Sequence, residues 1–222
     1  MRLFYVLYIS DPIIQLCIDA ARVICNPTEK EFSHITVRGP YKQRYKLRHQ
    51  NRIIKGAKIH ISDVGNFFNS KQNTVFLKCS SPKLKKVWKK GDYAYNPHLT
   101  IYDGESKEFA IELFDILKNY RINLYFIAEK LEYLESWKGH SNTQLIGKID
   151  SYSMKICKLL DIKLNYEIVN NLTDSGRLKF VSKIFKFLSN YKLNYQQMHT
   201  PELFRWCAFQ KSDDASVGIE KR

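Results

Sequence analysis

The chain lacks long apolar runs and paired cysteines. The mostly apolar stretch from Met1 to Ser10 is too short for a signal sequence, and no later stretch reaches the roughly 20 residues of a membrane span. The five cysteines are scattered, at positions 17, 25, 79, 157 and 207, and none forms a Cys-x-x-Cys pair. This usage favours reduced, mostly buried thiols. We therefore expect a soluble, cytoplasmic protein without a membrane partner.

Acidic residues are scarce in the first part of the chain. Residues 1–100 carry 18 Lys and Arg against 6 Asp and Glu, whereas residues 101–150 carry 6 against 9. The formal net charge of +14 therefore arises mainly in the first hundred residues. A basic surface attracts polyanions, which favours a nucleic acid or nucleotide ligand there. The alternative is a solvated surface with no partner.

Two similar strings of four residues occur in this basic part. His34–Val37 has the sequence His-Ile-Thr-Val, and His98–Ile101 has the sequence His-Leu-Thr-Ile. Apolar residues that alternate with polar ones predict a strand with one buried face, on which residues two apart share a side. Two such strands facing each other would gather two imidazoles and two hydroxyls around one small space. The alternative is a pair of ordinary strands that carry His and Thr on their solvent-exposed faces.

The predicted elements over residues 1–140 follow the order strand, helix, strand, hairpin, helix, strand, helix, strand, which indicates an α+β domain of two sheets with helices outside. Helices are predicted at 13–25, 82–90 and 106–119, and strands at 3–9, 58–64, 73–79 and, as one long strand or two short ones, within 122–135. Cations alternate with other residues over 42–48, so this stretch, if extended, has one cationic face. Further helices are predicted at 152–164, at 176–191 and after Thr200.

The two strings and this element order resemble the 2H phosphoesterase superfamily, which is named for two His-x-Thr/Ser motifs. The segment Asn96–Thr100 is similar to the second motif of that family, and His34–Thr36 is similar to the first. The resemblance covers about residues 1–140. It implies an α+β fold of two pseudo-twofold related lobes, with antiparallel sheets that line a central groove.

The resemblance also implies a metal-independent phosphodiesterase in which His34 and His98 are the general acid and base and Thr36 and Thr100 bind phosphate oxygens. Residue chemistry agrees, because an ordinary imidazole has a pKa near about 6.5 and can be neutral or charged at neutral pH. Hydroxyl groups can stabilise the charge that develops on non-bridging oxygens. No cofactor or metal is expected. Expected substrates are an RNA end, a 2′,3′-cyclic phosphate, a 2′-5′ linkage or a cyclic oligonucleotide; which imidazole is the acid stays open.

Three further residues are predicted to bind substrate. Arg38 lies four residues after His34 and is expected to bind a phosphate, with a solvated surface charge as the alternative. Tyr102 lies four residues after His98 and is expected to stack on a base, with core packing as the alternative. Tyr41, next to the basic stretch, is expected to extend this surface. His60, with a serine two residues later, is a second candidate for the first motif.

The organisation predicted from these patterns has three parts: a catalytic domain over 1–140, a helical extension over 141–211 and a disordered tail over 212–222. Three roles stay open for the extension, which can pack on the catalytic part, cap its groove or join two copies of the chain. The alternative function is a catalytically silent module that binds a nucleotide or RNA through the same basic groove.

Overall fold

A computed structural model describes residues 2–27, 31–69, 72–89, 94–136 and 166–191 of the chain. The strands within these ranges are β1 (Arg2–Tyr8), β2 (His34–Tyr41), β3 (Lys58–Asn69), β4 (Gln72–Ser80), β5 (His98–Asp103), β6 (Leu124–Ile127) and β7 (Glu132–Ser136). The helices are α1 (Pro12–Cys25), α2 (Arg48–Ile54), α3 (Pro82–Val87), α4 (Lys107–Leu117), α5 (Tyr166–Asn170) and α6 (Asp174–Asn190).

The seven strands form one sheet in the order β6-β3-β4-β5-β2-β1-β7, and every neighbouring pair is antiparallel. The α+β class and the antiparallel pairing are thus confirmed, whereas the expectation of two separate sheets is wrong. The two parts are joined because β2 pairs with β5 at Ile35 and Leu99. Beyond this short contact, the backbone N–H of Lys89 donates to the carbonyl of Val37 at 3.1 Å. The segment after α3 therefore continues the pairing along β2.

The apolar members of the two strings belong to the core. Ile35, Val37, Leu99 and Ile101 are at most 1% exposed, whereas the His and Thr between them are half-buried. Helices α1 and α4 contact the sheet, and α6 contacts both of these helices. This layer of helices accounts for the burial of the apolar set, and it leaves the polar set on the other side of the two strands.

Helix α1 begins directly after a capping side chain. The Asp11 carboxylate accepts hydrogen bonds from the backbone N–H groups of Ile13 at 2.9 Å and Ile14 at 2.8 Å, and Pro12 occupies the first helical position. The predicted helix over 13–25 is therefore confirmed. Its buried side chains face the sheet and α6. In the chain, α1 lies between β1 and β2.

Helix α6 confirms the helix predicted over 176–191 and belongs to the same compact unit as the sheet, which spans Met1–Tyr191. The Arg177 guanidinium donates to the carbonyl of Ile24 at the end of α1 at 2.9 Å. The Ser182 hydroxyl lies 2.5 Å from the Tyr120 hydroxyl. The helices predicted at 152–164 and after Thr200, and the tail over 212–222, lie outside the described residues.

The structure decides two points that the sequence left open. The basic stretch over 42–48 does not continue β2 as a strand, and helix α2 begins at Arg48, where no helix was predicted. The segment 122–135 forms two short strands, one of its two predicted alternatives, and these strands lie at opposite edges of the sheet. Within the described ranges, no helix is long and apolar enough to cross a membrane.

Candidate active site

The polar side chains of both strings lie on one face of two neighbouring strands. Ile35 pairs with Leu99, so one residue further along, the antiparallel register sets His34 across from Thr100 and Thr36 across from His98. Residues two apart share a face, so all four polar side chains point to the same side. Diagonal neighbours in such a pair lie about 7–8 Å apart, which leaves room for a phosphate group between the two imidazoles.

A backbone carbonyl orients each imidazole in the same way. Nδ1 of His34 lies 2.8 Å from the carbonyl oxygen of Phe32, and Nδ1 of His98 lies 2.8 Å from that of Asn96. A carbonyl oxygen can only accept, so Nδ1 carries the proton in both rings. The neutral rings then have their lone pair on Nε2, where each can accept a proton and, once charged, release it. The same contact, two residues upstream, recurs at both positions.

The aromatic neighbours of the two imidazoles differ. Tyr8 pairs with His34 across β1 and β2, and the two ring centroids lie 6.0 Å apart in an edge-on arrangement. His98 instead contacts Phe76 at 4.8 Å and Phe67 at 5.3 Å. Burial, together with nearby carboxylates, raises the pKa of Tyr8 to about 12, so its phenol stays protonated at neutral pH.

A buried carboxylate on α1 holds the backbone just before His34. Asp19 accepts a hydrogen bond from the Ser33 N–H at 2.6 Å and another from the Gln15 amide at 2.7 Å. Burial raises the pKa of Asp19, and these hydrogen bonds and the Arg22 charge oppose that rise. Asp19 is not among the residues predicted from the sequence. Its signal was an acidic residue inside the apolar run Cys17–Ala21 of a predicted helix.

Arg38 and Tyr41 lie together at the far end of β2. Burial alternates along this strand, and Arg38 belongs to the half-buried set with His34 and Thr36. Its Nε donates a hydrogen bond to the Tyr41 hydroxyl at 3.4 Å. The two residues predicted to bind substrate from this strand therefore contact each other.

Tyr102 does not share a face with His98 and Thr100, because the pairing of β4 with β5 shifts between Val75 and Phe76 and the alternation from His98 ends there. Tyr102 is 6% exposed, and its ring packs against Phe109 of α4 at 5.0 Å. Its hydroxyl donates to the Ser106 carbonyl at 3.3 Å and accepts from the Ser106 N–H at 3.1 Å. A ring buried in this way offers no face to a base, so core packing replaces the predicted stacking role.

His60 lies on β3, which pairs with β4 and β6 and not with either strand of the candidate site. It is exposed, and its ring lies 6.3 Å from that of Tyr125. His34 is therefore the imidazole that the sheet brings next to His98. In the part of the chain that the structure describes, no group of three or more His, Cys, Asp or Glu side chains is arranged to hold a metal ion.

The candidate site is supported by the chain's own residues alone. No protein-family model matches the chain, and no curated protein matches it either. The resemblance to 2H phosphoesterases therefore stays a prediction from the two motifs, and the geometry of β2 and β5 is the basis on which a function can be argued.

Proposed function

We propose that the protein is a metal-independent phosphodiesterase of the 2H type that acts on an RNA-type phosphodiester. One observation carries the proposal: two imidazoles with the same Nδ1-to-carbonyl contact share a face with two hydroxyls across the pairing of β2 with β5. Two proton-transfer groups and two hydrogen-bond donors around a phosphate-sized gap are what this reaction needs.

In the proposed mechanism, Nε2 of one neutral imidazole removes a proton from water or from a ribose 2′-hydroxyl. The oxygen so activated forms a bond to phosphorus, and the bond from phosphorus to the leaving oxygen breaks. The other imidazole enters charged and gives its Nε2 proton to that leaving oxygen. The hydroxyls of Thr36 and Thr100 donate hydrogen bonds to the non-bridging oxygens, where negative charge develops.

The proposal extends to the architecture of the molecule. We infer that β2 and β5 are equivalent strands of two pseudo-twofold related lobes. Three observations support this equivalence. Both strands carry a His-x-Thr motif, both imidazoles make the same contact with a backbone carbonyl, and the two strands are neighbours in the sheet order. The catalytic part would then span about residues 1–140, with the helical extension over 141–211 attached to it. Arg38 and Tyr41 would contact the part of the substrate that lies along the end of β2.

The direct test is a cleavage assay with the full-length protein in the presence of a chelator. The panel contains adenosine 2′,3′-cyclic phosphate, a 2′-5′-linked dinucleotide, a short RNA and a cyclic oligonucleotide. We expect one of these to be cleaved with a bell-shaped pH profile. His34→Ala and His98→Ala should each lower kcat by about 10²–10⁴-fold, the usual contribution of general acid–base catalysis. His60→Ala, which changes an exposed imidazole of the same sheet, is the matched control and should leave kcat unchanged.

Other results of this assay would contradict the mechanism. Cleavage that disappears with the chelator would point to a bound metal ion, and cleavage that survives both substitutions would remove the imidazoles from the reaction. Thr100→Val adds a second check, because loss of a donor to a developing charge typically costs about 10²–10³-fold in kcat. Tight nucleotide binding without any cleavage would favour the silent binding module.

A further inference from the structure

The basic segment between β2 and α2 is fixed to the sheet at two points. We call residues 42–47 the basic arm. The hydroxyl of Tyr5 donates to the Tyr45 carbonyl at 3.0 Å and accepts a hydrogen bond from the Tyr45 N–H. One residue earlier, the Arg44 guanidinium lies 4.0 Å from the centre of the Tyr133 ring and 2.5 Å from the Glu135 carboxylate. The basic arm is therefore held in a defined place and does not depend on a ligand for its position.

A series of three tyrosine rings leads from the interior to the surface of the basic arm. Tyr5 is 3% exposed, and its ring centroid lies 5.7 Å from that of Tyr41. Tyr41 in turn lies 5.1 Å from Tyr45, whose side chain is 51% exposed. An exposed aromatic ring that packs at a steep angle against a second ring, and whose backbone is hydrogen-bonded to the sheet, is a platform on which a flat group can stack.

The charged residues in the sequence around this platform have one sign, and the nearby carboxylate of Glu135, on β7, is paired with Arg44. Between Glu31 and Asp63 the chain has eight Lys and Arg residues and no Asp or Glu. Lys42 and Lys46, on either side of Tyr45, are both exposed. Cations that flank an exposed ring match the backbone of a single-stranded nucleic acid, whose phosphates alternate with bases. An acidic peptide can repeat the negative charge but supplies no base between successive charges.

We propose that Tyr45, Lys42 and Lys46 bind a single-stranded oligonucleotide, with a base on the tyrosine ring and phosphates beside the two ammonium groups. From Thr36, which pairs with Val6, to Tyr41, which pairs with Leu3, β2 passes three residues of β1 and advances about 10 Å at the usual rise of a strand, which is longer than one nucleotide. A nucleic acid whose end lies at the imidazole pair therefore reaches the platform only through more than one nucleotide. This last step rests on the proposed function and makes an oligonucleotide, not a mononucleotide, the substrate class.

The test is a binding measurement that does not require cleavage. Fluorescence anisotropy is recorded with the full-length protein and a labelled, short single-stranded oligoadenylate. Tyr45→Ala should weaken binding by about five-fold or more, since loss of one base–aromatic stack has that effect, and Tyr45→Phe should retain it. The double variant K42Q/K46Q should reduce the salt dependence of binding, as expected when phosphate contacts are lost. Tyr125→Ala is the matched control, because this tyrosine has the Lys58 ammonium over its ring and lies at the other edge of the sheet.

Two further ligands distinguish base stacking on Tyr45 from general attraction of a polyanion and from binding at the imidazole pair. Heparin, a polyanion without bases, should bind Tyr45→Ala as well as the wild-type protein, and so should adenosine 2′,3′-cyclic phosphate. Equal binding of the oligoadenylate by the wild-type and Tyr45→Ala proteins would overturn the proposed platform, as would an equal loss in Tyr125→Ala or an equal loss of heparin binding. Wild-type binding that depends on Tyr45 but is never followed by cleavage would leave the platform standing and overturn only the phosphodiesterase.

Discussion

At the scale of single residues, the site is defined by how the backbone holds its side chains. The carbonyls of Phe32 and Asn96 fix the orientation and the proton position of the two imidazoles. For His34 the support extends further, because Ser33 next to it is hydrogen-bonded to Asp19 inside the protein. The buried Asp19 carboxylate therefore holds the backbone next to His34 in place.

A pH-dependent stability follows from the burial of Asp19. Burial raises the pKa of Asp19, so the folded state binds this proton more tightly than the unfolded state. The stabilisation from that proton is complete below the unfolded pKa of about 3.9 and is lost as the pH rises through the folded pKa. Asp19→Asn keeps an acceptor for Ser33 but does not titrate. The free energy of unfolding of Asp19→Asn, relative to that of the wild type, should therefore increase as the pH rises.

Urea unfolding of both proteins at a series of pH values measures this difference. Asp115→Asn, which changes a surface carboxylate paired with Lys118, is the control. A difference between Asp19→Asn and the wild type that shrinks with rising pH would contradict the assigned direction of the pKa shift.

The residues of the site show which part of it the sequence alone could predict. Alternation over the three residues from His98 to Thr100 is short and local, and the structure keeps both side chains on one face. Extending the same alternation to Tyr102 failed, because a shift in the pairing with β4 turns that side chain toward α4. Such shifts depend on the neighbouring strand, which a sequence pattern does not contain.

At the scale of elements, the capped helices and the hairpin were predictable, whereas the partners of short strands were not. Helices α1 and α4 begin close to their predicted starts, and the side chains of Asp11 and Ser106, directly before them, accept backbone hydrogen bonds. Strands β6 and β7 lie only five residues apart in sequence yet pair at opposite edges of the sheet. Long-range pairing of this kind is decided by tertiary packing rather than by local preference.

The start of α4 provides a prediction about an element. Tyr102→Phe keeps the ring against Phe109 but removes the hydroxyl that bonds both backbone groups of Ser106. The half-buried Ser106 N–H then loses its protein partner, which should lower the free energy of unfolding by about 0.5–1.5 kcal/mol. Because the ring packs in the core, KM for any substrate that the protein cleaves should not change.

Chemical unfolding and steady-state kinetics on the same Tyr102→Phe preparation check both expectations. Tyr102→Leu is the companion variant, since it also removes the aromatic face that a base would need. A rise in KM for Tyr102→Leu, with the free energy of unfolding unchanged, would indicate that Tyr102 contacts the substrate after all.

At the scale of the whole molecule, the site lies where the pairing between two neighbouring strands of the sheet is shortest. The four strands β6, β3, β4 and β5 and the three strands β2, β1 and β7 meet at a single pair, Ile35 and Leu99. Helix α6 contacts both α1 and α4 and so forms a third layer over the helices of these two groups of strands. Arg177 and Ser182 tie this layer to α1 and to the segment after α4. Helix α6 is therefore expected to support the junction on which the site is built.

The last prediction concerns this shared core. Phe185 of α6 is fully buried, so Phe185→Ala should lower the free energy of unfolding by about 3–5 kcal/mol. If α6 and the sheet unfold together, the buried thiol of Cys79 on β4 should become reactive at a correspondingly lower urea concentration. Thiol labelling, located on the Cys79 peptide by mass spectrometry, measures this. The control is Ile111→Ala, which truncates an exposed residue of α4. Cys79 protection that stays at the wild-type level while α6 loses its helical signal would show that α6 unfolds on its own, because a cooperative core cannot lose one layer and leave another unchanged.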